Sequence, residues 1–233
     1  MKERFQLKQT VVTIVADARV HIENAKEAIR SHRRELERFI ALNPFFRYAL
    51  EPLDECIGVP PEIARRMLEA SSAANVGPMA TVAGVIADLA VEAMVDAGAS
   101  YAIVDNGGDI ALSTDREVTV GIYAGESSFK DVAFKIRPTP FLGVCTSSAT
   151  VGPSISFGTA DVACVVAEKA CLADAAASAL GNLSTDPEAA FGAIKDINGI
   201  LGALLIVQDN LATWGTLPTL VHASFDEACV THA

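Results

Sequence analysis

No histidine stands between His32 and His222, so the central part of this 233-residue chain lacks the side chain that most often moves protons or binds metals near neutral pH. His21, His32, His222 and His232 lie in no hydrolase signature, which argues against a Ser-His-Asp mechanism. The five cysteines (Cys56, Cys145, Cys164, Cys171, Cys229) are odd in number and never in C-x-x-C spacing. That argues against a zinc centre and leaves buried free thiols as the expectation, Cys145 included. There is no G-x-x-x-x-G-K-[ST] pattern, which excludes a P-loop. The stretch from Met1 to Lys8 has neither an apolar h-region nor a lipobox cysteine, and no uninterrupted apolar run reaches membrane length. The reading is a soluble, cytoplasmic protein with no membrane partner.

Basic residues are also scarce, with 18 Lys and Arg against 29 Asp and Glu. Residues 1–66 hold 12 of the basic groups and 10 acids, so the rest carries 6 against 19. A surface this acidic repels phosphodiester backbones and excludes nucleic acid as a partner for that region. A phosphate ligand would have to be met by a metal ion or by backbone amides. What the chain does have is hydrophobic residues, 51% of the total, and enough length to bury about 70% of the surface of its unfolded form. It is read as a single domain over 1–233, in two structural halves of about 1–125 and 126–233.

Periodicity predicts a strand or hairpin over Phe5 to Ala16 and a helix over 25–42 opened by Asn24. The helix carries Arg30, Arg33, Arg34 and Arg38 on a face read as solvated. A second helix is predicted from Pro61 to about Ser72, and a long one follows Asn75-Val76-Gly77-Pro78-Met79, ended by Gly98. On that long helix Asp88, Glu92 and Asp96 are read as a solvated acidic stripe. Strands are expected at Tyr101 to Val104, Ile110 to Leu112, Val118 to Tyr123, Val132 to Arg137, Leu142 to Cys145 after breaks at Pro138 and Pro140, Val162 to Val166 and Ile200 to Val207, with Ala212 to Trp214 as hairpin partner. Helices are expected at Leu172 to Leu180 and Pro187 to Lys195. The order of elements repeats, which predicts an α+β fold of two related halves.

Three segments carry candidate chemistry. Asp105-Asn106-Gly107-Gly108-Asp109 suits a tight hairpin turn, or else a place where a ligand approaches bare amides beside Asp109. Gly143 to Gly158 is dense in hydroxyls and glycines, a composition able to hold phosphate oxygens without positive charge. On the helix around Leu172 to Leu180, Asp174 and Ser178 lie four apart and share one face; they suit a hard cation, although an acid near a helix start also simply favours the dipole. Gly77, just before a helix start, is a further phosphate-facing candidate.

In this order the segments resemble the ApbE family of flavin transferases, which move FMN from FAD onto a protein threonine using Mg²⁺. The family's Gly-Gly-Asp, Thr-Ser-Gly and Ala-Asp-Ala-x-x-Thr motifs correspond to Val104–Ile110, to Thr146-Ser147-Ser148 and to Ala173–Ser178. Val76 to Ala80 and Ser154 to Gly158 are similar to a shorter ApbE-like branch. The resemblance implies a T-fold-related architecture of duplicated β-α-β units, with Asp174 and Ser178 as Mg²⁺ ligands. It implies that Asn106, Gly107, Gly108 and Asp109 line a site for FAD or FMN, flanked at the pyrophosphate by Thr146, Ser147 and Ser148. It also implies a protein acceptor, and an FMN-transferring or FAD-cleaving activity. Where the transferases carry a His-x-x-Asp-Pro segment, this chain reads Pro153 to Gly158. Loss of a catalytic base costs about 10²–10⁴ in rate. A carrier that binds the nucleotide without turning it over is the second reading.

Overall fold

The computed structural model describes residues 1–125, 127, 129, 131–147 and 160–223. The chain opens with a hairpin of β1 (Lys2–Leu7) and β2 (Thr10–Ala16), then helices α1 (Arg19–Leu42), α2 (Glu62–Ala74) and α3 (Val82–Asp96). A second hairpin, β3 (Tyr101–Asn106) with β4 (Asp109–Thr114), is followed by β5 (Val118–Ile122) and β6 (Val132–Ile136). Then come β7 (Thr139–Ser147), β8 (Val162–Ala167), α4 (Ala170–Asn182), α5 (Pro187–Gly192), β9 (Ile200–Val207), β10 (Asn210–Gly215) and β11 (Thr219–His222). Eight strands form one antiparallel sheet in the order β1-β2-β3-β4-β7-β8-β9-β10, and β11-β6-β5 form a second.

The central strands β7, β8 and β9 of the large sheet are covered on both faces, which explains their continuous apolar runs. Ala111, Cys145, Val165 and Leu205 face the core shared with the helices. Their neighbours Leu112, Val144, Cys164 and Leu204 face a second core shared with Val120, Phe134 and Ile136 of the small sheet. Cys145 and Cys164 are both buried free thiols on opposite faces, as a cysteine count without paired spacing suggests.

The α+β class and the repeated order of elements hold. The repeating unit is a hairpin, one or more helices and a second hairpin, so each half of the large sheet contributes four consecutive strands. α1 begins at Arg19, ahead of Asn24, α5 stops at Gly192 short of Lys195, and β11 had no sequence signal. Pro140 lies inside β7 and does not break it; the β4–β7 register shifts between Leu112 and Thr114, so no ladder bond is asked of the proline. The Arg face of α1 is a surface of local ion pairs, Arg30 with Glu27 and Arg33 with Glu37.

The acidic stripe on α3 needs correcting. Asp88 is 1% exposed and Glu92 is half-buried, which leaves only Asp96 of the three in solvent. The helix is enclosed on nearly every side, with Val85, Ile86, Ala87, Leu89, Ala90 and Val91 all buried. Counted with its leading 3-10 turn, Pro78–Asp96 is apolar and long enough to cross a membrane, with mean hydropathy 1.6, yet 61% of it is buried within the protein. Core packing accounts for that apolarity.

Candidate functional site

The Asp105 to Asp109 segment forms a two-residue hairpin turn. Gly107 and Gly108 have φ of 70° and 99°, the left-handed pair that such a turn requires. The Gly108 amide donates to the Asp105 carboxylate at 2.9 Å, so it is not a bare amide awaiting a phosphate. Asn106 is 7% exposed and its side-chain amide donates to the Ala83 carbonyl at 3.1 Å, tying the turn to the first turn of α3. Both residues therefore have structural partners that the ligand reading did not foresee. Gly77 is corrected more firmly: a Cβ there would lie 2.0 Å from the Ala49 carbonyl oxygen. It is a close-packing glycine beneath the α1–α2 connection, buried, with its side-chain direction filled by backbone.

The starts of α3 and α4 are locked together. The amides of the first turn of a helix have no partner within it, and neither helix carries a side-chain cap of its own. Asp174 of α4 accepts from the Gly84 amide of α3 at 2.8 Å. In return Asp88 of α3 accepts from the Ala170 and Cys171 amides of α4 at 2.9 and 2.8 Å. Each helix is capped by a buried carboxylate from the other. Ala170 sits where a Cβ on Gly84 would lie 2.4 Å from its carbonyl oxygen and a Cβ on Gly143 of β7 2.5 Å from its Cα. Those two glycines let the helix start wedge between α3 and the sheet. Aligning Asp88 with Asp174 also aligns Ala87 with Ala173, Ala90 with Ala176 and Ala93 with Ala179, so the sequence carries a short repeat across the two units.

Around Asp174 the described residues supply carboxylates without cations. Burial pushes its carboxyl up to about 7, with the nearby Asp88 charge adding and the Gly84 and Ala83 amides opposing. Asp109, at the start of β4, is pushed well above the carboxylate range by burial and then by the Asp174 charge, opposed by the Cys145 thiol and the Thr146 amide. Among the described residues no Lys, Arg or His forms an ion pair with either acid. Ser178 lies one helical turn beyond Asp174 and is half-buried. Thr146 and Ser147 end β7 beside this group, and Ser147 Oγ would sit 3.4 Å from a Cβ on Gly181 of α4. Cys145 is fully buried and donates to the Ala170 carbonyl at 3.3 Å; burial raises its thiol well above the ordinary value, so it is no thiolate nucleophile.

The structure thus brings Asp109, Thr146, Ser147, Asp174 and Ser178 to one place, at the meeting of β4, β7 and α4. Asn106, Gly107 and Gly108 lie in the adjoining turn, and Gly77 serves packing elsewhere. Ser148 and Ser154 to Gly158 lie outside the described residues. Among the described residues no group of three or more His, Cys, Asp or Glu is arranged to hold a metal. The donor chemistry still suits a hard cation, which takes oxygen ligands and keeps several waters. Two mutually repelling carboxylates and a hydroxyl are such a set. Sequence reasoning missed Asp88, Gly84 and the Cys145 contact with Asp109; the repeated Ala-Asp-x-Ala pattern was the one signal pointing to the first.

The same architecture occurs in solved flavin transferases. The flavinyl transferase ApbE of Pseudomonas stutzeri superposes with a TM-score of 0.60 over 93% of this chain and 94% of that one, at 11% identity. The flavin transferase ApbE of Vibrio cholerae gives 0.53 over 93% and 96%, at 14% identity. At such identity the likeness is one of fold. The family model described as "AbpE bacteria" matches residues 2–209, and the chain belongs to that family. A UPF0280 protein of Methanosarcina acetivorans is 51% identical over 238 residues, covering 100% of this chain and 94% of that protein.

Proposed function

We propose that this protein binds a flavin nucleotide, FAD or FMN, through Mg²⁺ at the meeting of β4, β7 and α4, and acts on its pyrophosphate linkage. The observation that carries the reading is the buried pair Asp109 and Asp174, left without a protein cation in a chain that is acidic beyond residue 66. Asp174 and Ser178 would hold the cation, with Asp109 beside them and Thr146 and Ser147 flanking the phosphates. When bound, Mg²⁺ neutralises the pyrophosphate and polarises its phosphorus toward a hydroxyl or water. The residues of this chain orient that linkage and exclude bulk solvent from it. The flavin transferases that share the fold support the choice of ligand, and a protein hydroxyl as acceptor is what the motif resemblance implies. We place the reaction in the cytoplasm, with no nucleic-acid or membrane partner.

Incubation of the purified protein with FAD and Mg²⁺ tests the reading. Release of AMP or FMN, or flavin addition to an acceptor protein, is the expected result; neither would end the enzymatic reading for flavin. The absence of histidine from 33 to 221 favours the carrier as the second reading. A carrier would copurify with flavin, or gain thermal stability with FAD and Mg²⁺, and show no turnover.

A further inference from the structure

The connection between α1 and α2 holds a cavity of about 350 Å³ lined by Leu42, Phe45, Phe46, Leu53, Cys56 and Ile57, none of them part of the candidate site. Its volume falls in the range of small-molecule pockets, about 300–1,000 Å³, and is more than twice the roughly 150 Å³ that takes up benzene. The cavity opens to solvent: of its apolar walls, Leu42, Phe45 and Ile57 are 63%, 72% and 70% exposed. Those walls are also held in place. Phe46 is fully buried, edge-on to Phe39 at 5.3 Å. The Asn43 side-chain oxygen accepts from the Ile57 amide at 2.6 Å, and its nitrogen donates to the Phe39 and Ile57 carbonyls at 3.1 and 3.2 Å. Asn43 thereby clamps the end of α1 to the wall that Ile57 supplies, and a ligand meets fixed walls at low ordering cost.

The polar groups of the lining decide what class of ligand fits. Asn43 is its one amide side chain, and both N–H groups of that amide are spent, so it has none left for a phosphate, carboxylate or sugar oxygen. Burial raises the Cys56 thiol above its ordinary value and keeps it neutral. Among the lining residues Glu55 alone carries a charge, and its carboxylate is exposed. The surrounding segment is net acidic, with Arg47 against Glu51, Asp54 and Glu55. We propose that this cavity binds a small hydrophobic amine, an apolar ring or branched chain that carries an ammonium group. The body covers the exposed faces of Leu42, Phe45 and Ile57, and the ammonium meets Glu55. The same charge turns away anions, so this cavity and the proposed flavin-nucleotide site take ligands of opposite sign.

Titration of the full chain with 2-phenylethylamine, 2-phenylethanol and phenylacetate, flavin and Mg²⁺ absent, tests the proposal by calorimetry and by the rate at which iodoacetamide alkylates Cys56. The amine is expected to bind about threefold tighter than the alcohol, the size of effect an exposed ion pair supplies, and phenylacetate weakest of the three. Bound amine should slow alkylation of Cys56, read by peptide mass. Glu55→Gln, at an exposed position that leaves folding untouched, should bring the amine to the affinity of the alcohol and leave the alcohol unchanged. Phe45→Ala, also exposed, should weaken both. The proposal is overturned if none of the compounds binds at millimolar concentration, if the alcohol or phenylacetate binds as tightly as the amine, or if Glu55→Gln leaves the preference intact. A second copy of the chain, or residues 224–233, found by crosslinking to fill the cavity against all three compounds overturns it as well.

Discussion

Asp88 and Asp174 occupy matching positions in the two repeated units and do the same structural work, and burial raises the carboxyl of each; what differs is the charge of the neighbours around them. Each caps the other unit's helix. One turn beyond Asp88 stands Glu92, paired by Arg66 at 2.8 Å and by Lys169 at 2.7 Å and held below its ordinary pKa by them. One turn beyond Asp174 stands Ser178, and the neighbouring charge is a second raised carboxylate, Asp109. The first unit is neutralised by the protein's own cations. The second is left needing one, and this difference, more than any motif, locates the candidate site in the second unit.

The comparison breaks most easily where the two units touch. Gly84→Val would force a side chain into the Ala170 backbone and is expected to cost about 3 kcal/mol or more, with loss of both caps, read by chemical denaturation. Next in size, Asp88→Ala strands two buried amides and should cost about 2–4 kcal/mol while the folded fraction keeps any thermal response to Mg²⁺. Asp174→Asn should do the reverse. The amide still accepts from Gly84, a buried charge is removed, stability above pH 7 stays within about 1 kcal/mol of the parent or exceeds it, and the response to Mg²⁺ vanishes. If both variants behaved alike, the two units would not be functionally distinct.

The pH dependence sharpens the same contrast. A carboxyl raised to about 7 in the folded state binds a proton that the unfolded chain has released near its ordinary value of 3.8. Its contribution to stability is therefore greatest below about pH 4 and is lost as pH rises through about 7. The melting temperature should fall across that window, recover at neutral pH on adding Mg²⁺, and lose this component in Asp174→Asn. The smallest expected effect is that of Ser178→Ala, within about 0.5 kcal/mol in stability but requiring several-fold more Mg²⁺ for the same thermal shift.

Much of this was legible in the residues. The two-residue turn at Gly107-Gly108 follows from its need for two left-handed φ angles, and β8 from a six-residue apolar run. The duplication was visible as element order alone, and the matching Ala-Asp-x-Ala of α3 and α4 stands out only once the two helix starts are seen to cap each other. The stripe Asp88, Glu92 and Asp96 misled because helical spacing shows which residues share a face and says nothing about what covers it. At Gly77 the sequence showed the residue before a helix start but not the Ala49 carbonyl that fills its side-chain direction and makes it a packing glycine.

The sequence by itself determined most of the elements, the family and the acidity beyond residue 66, since these depend on local propensity and composition. Only the tertiary structure decided which acids are neutralised. Arg66 reaches Glu92 from another helix, and Lys169 reaches it from the opposite unit. Asp174 spends an oxygen on Gly84, ninety residues away. Charges in a low-dielectric interior are governed by distance through space, which spacing along the chain does not encode.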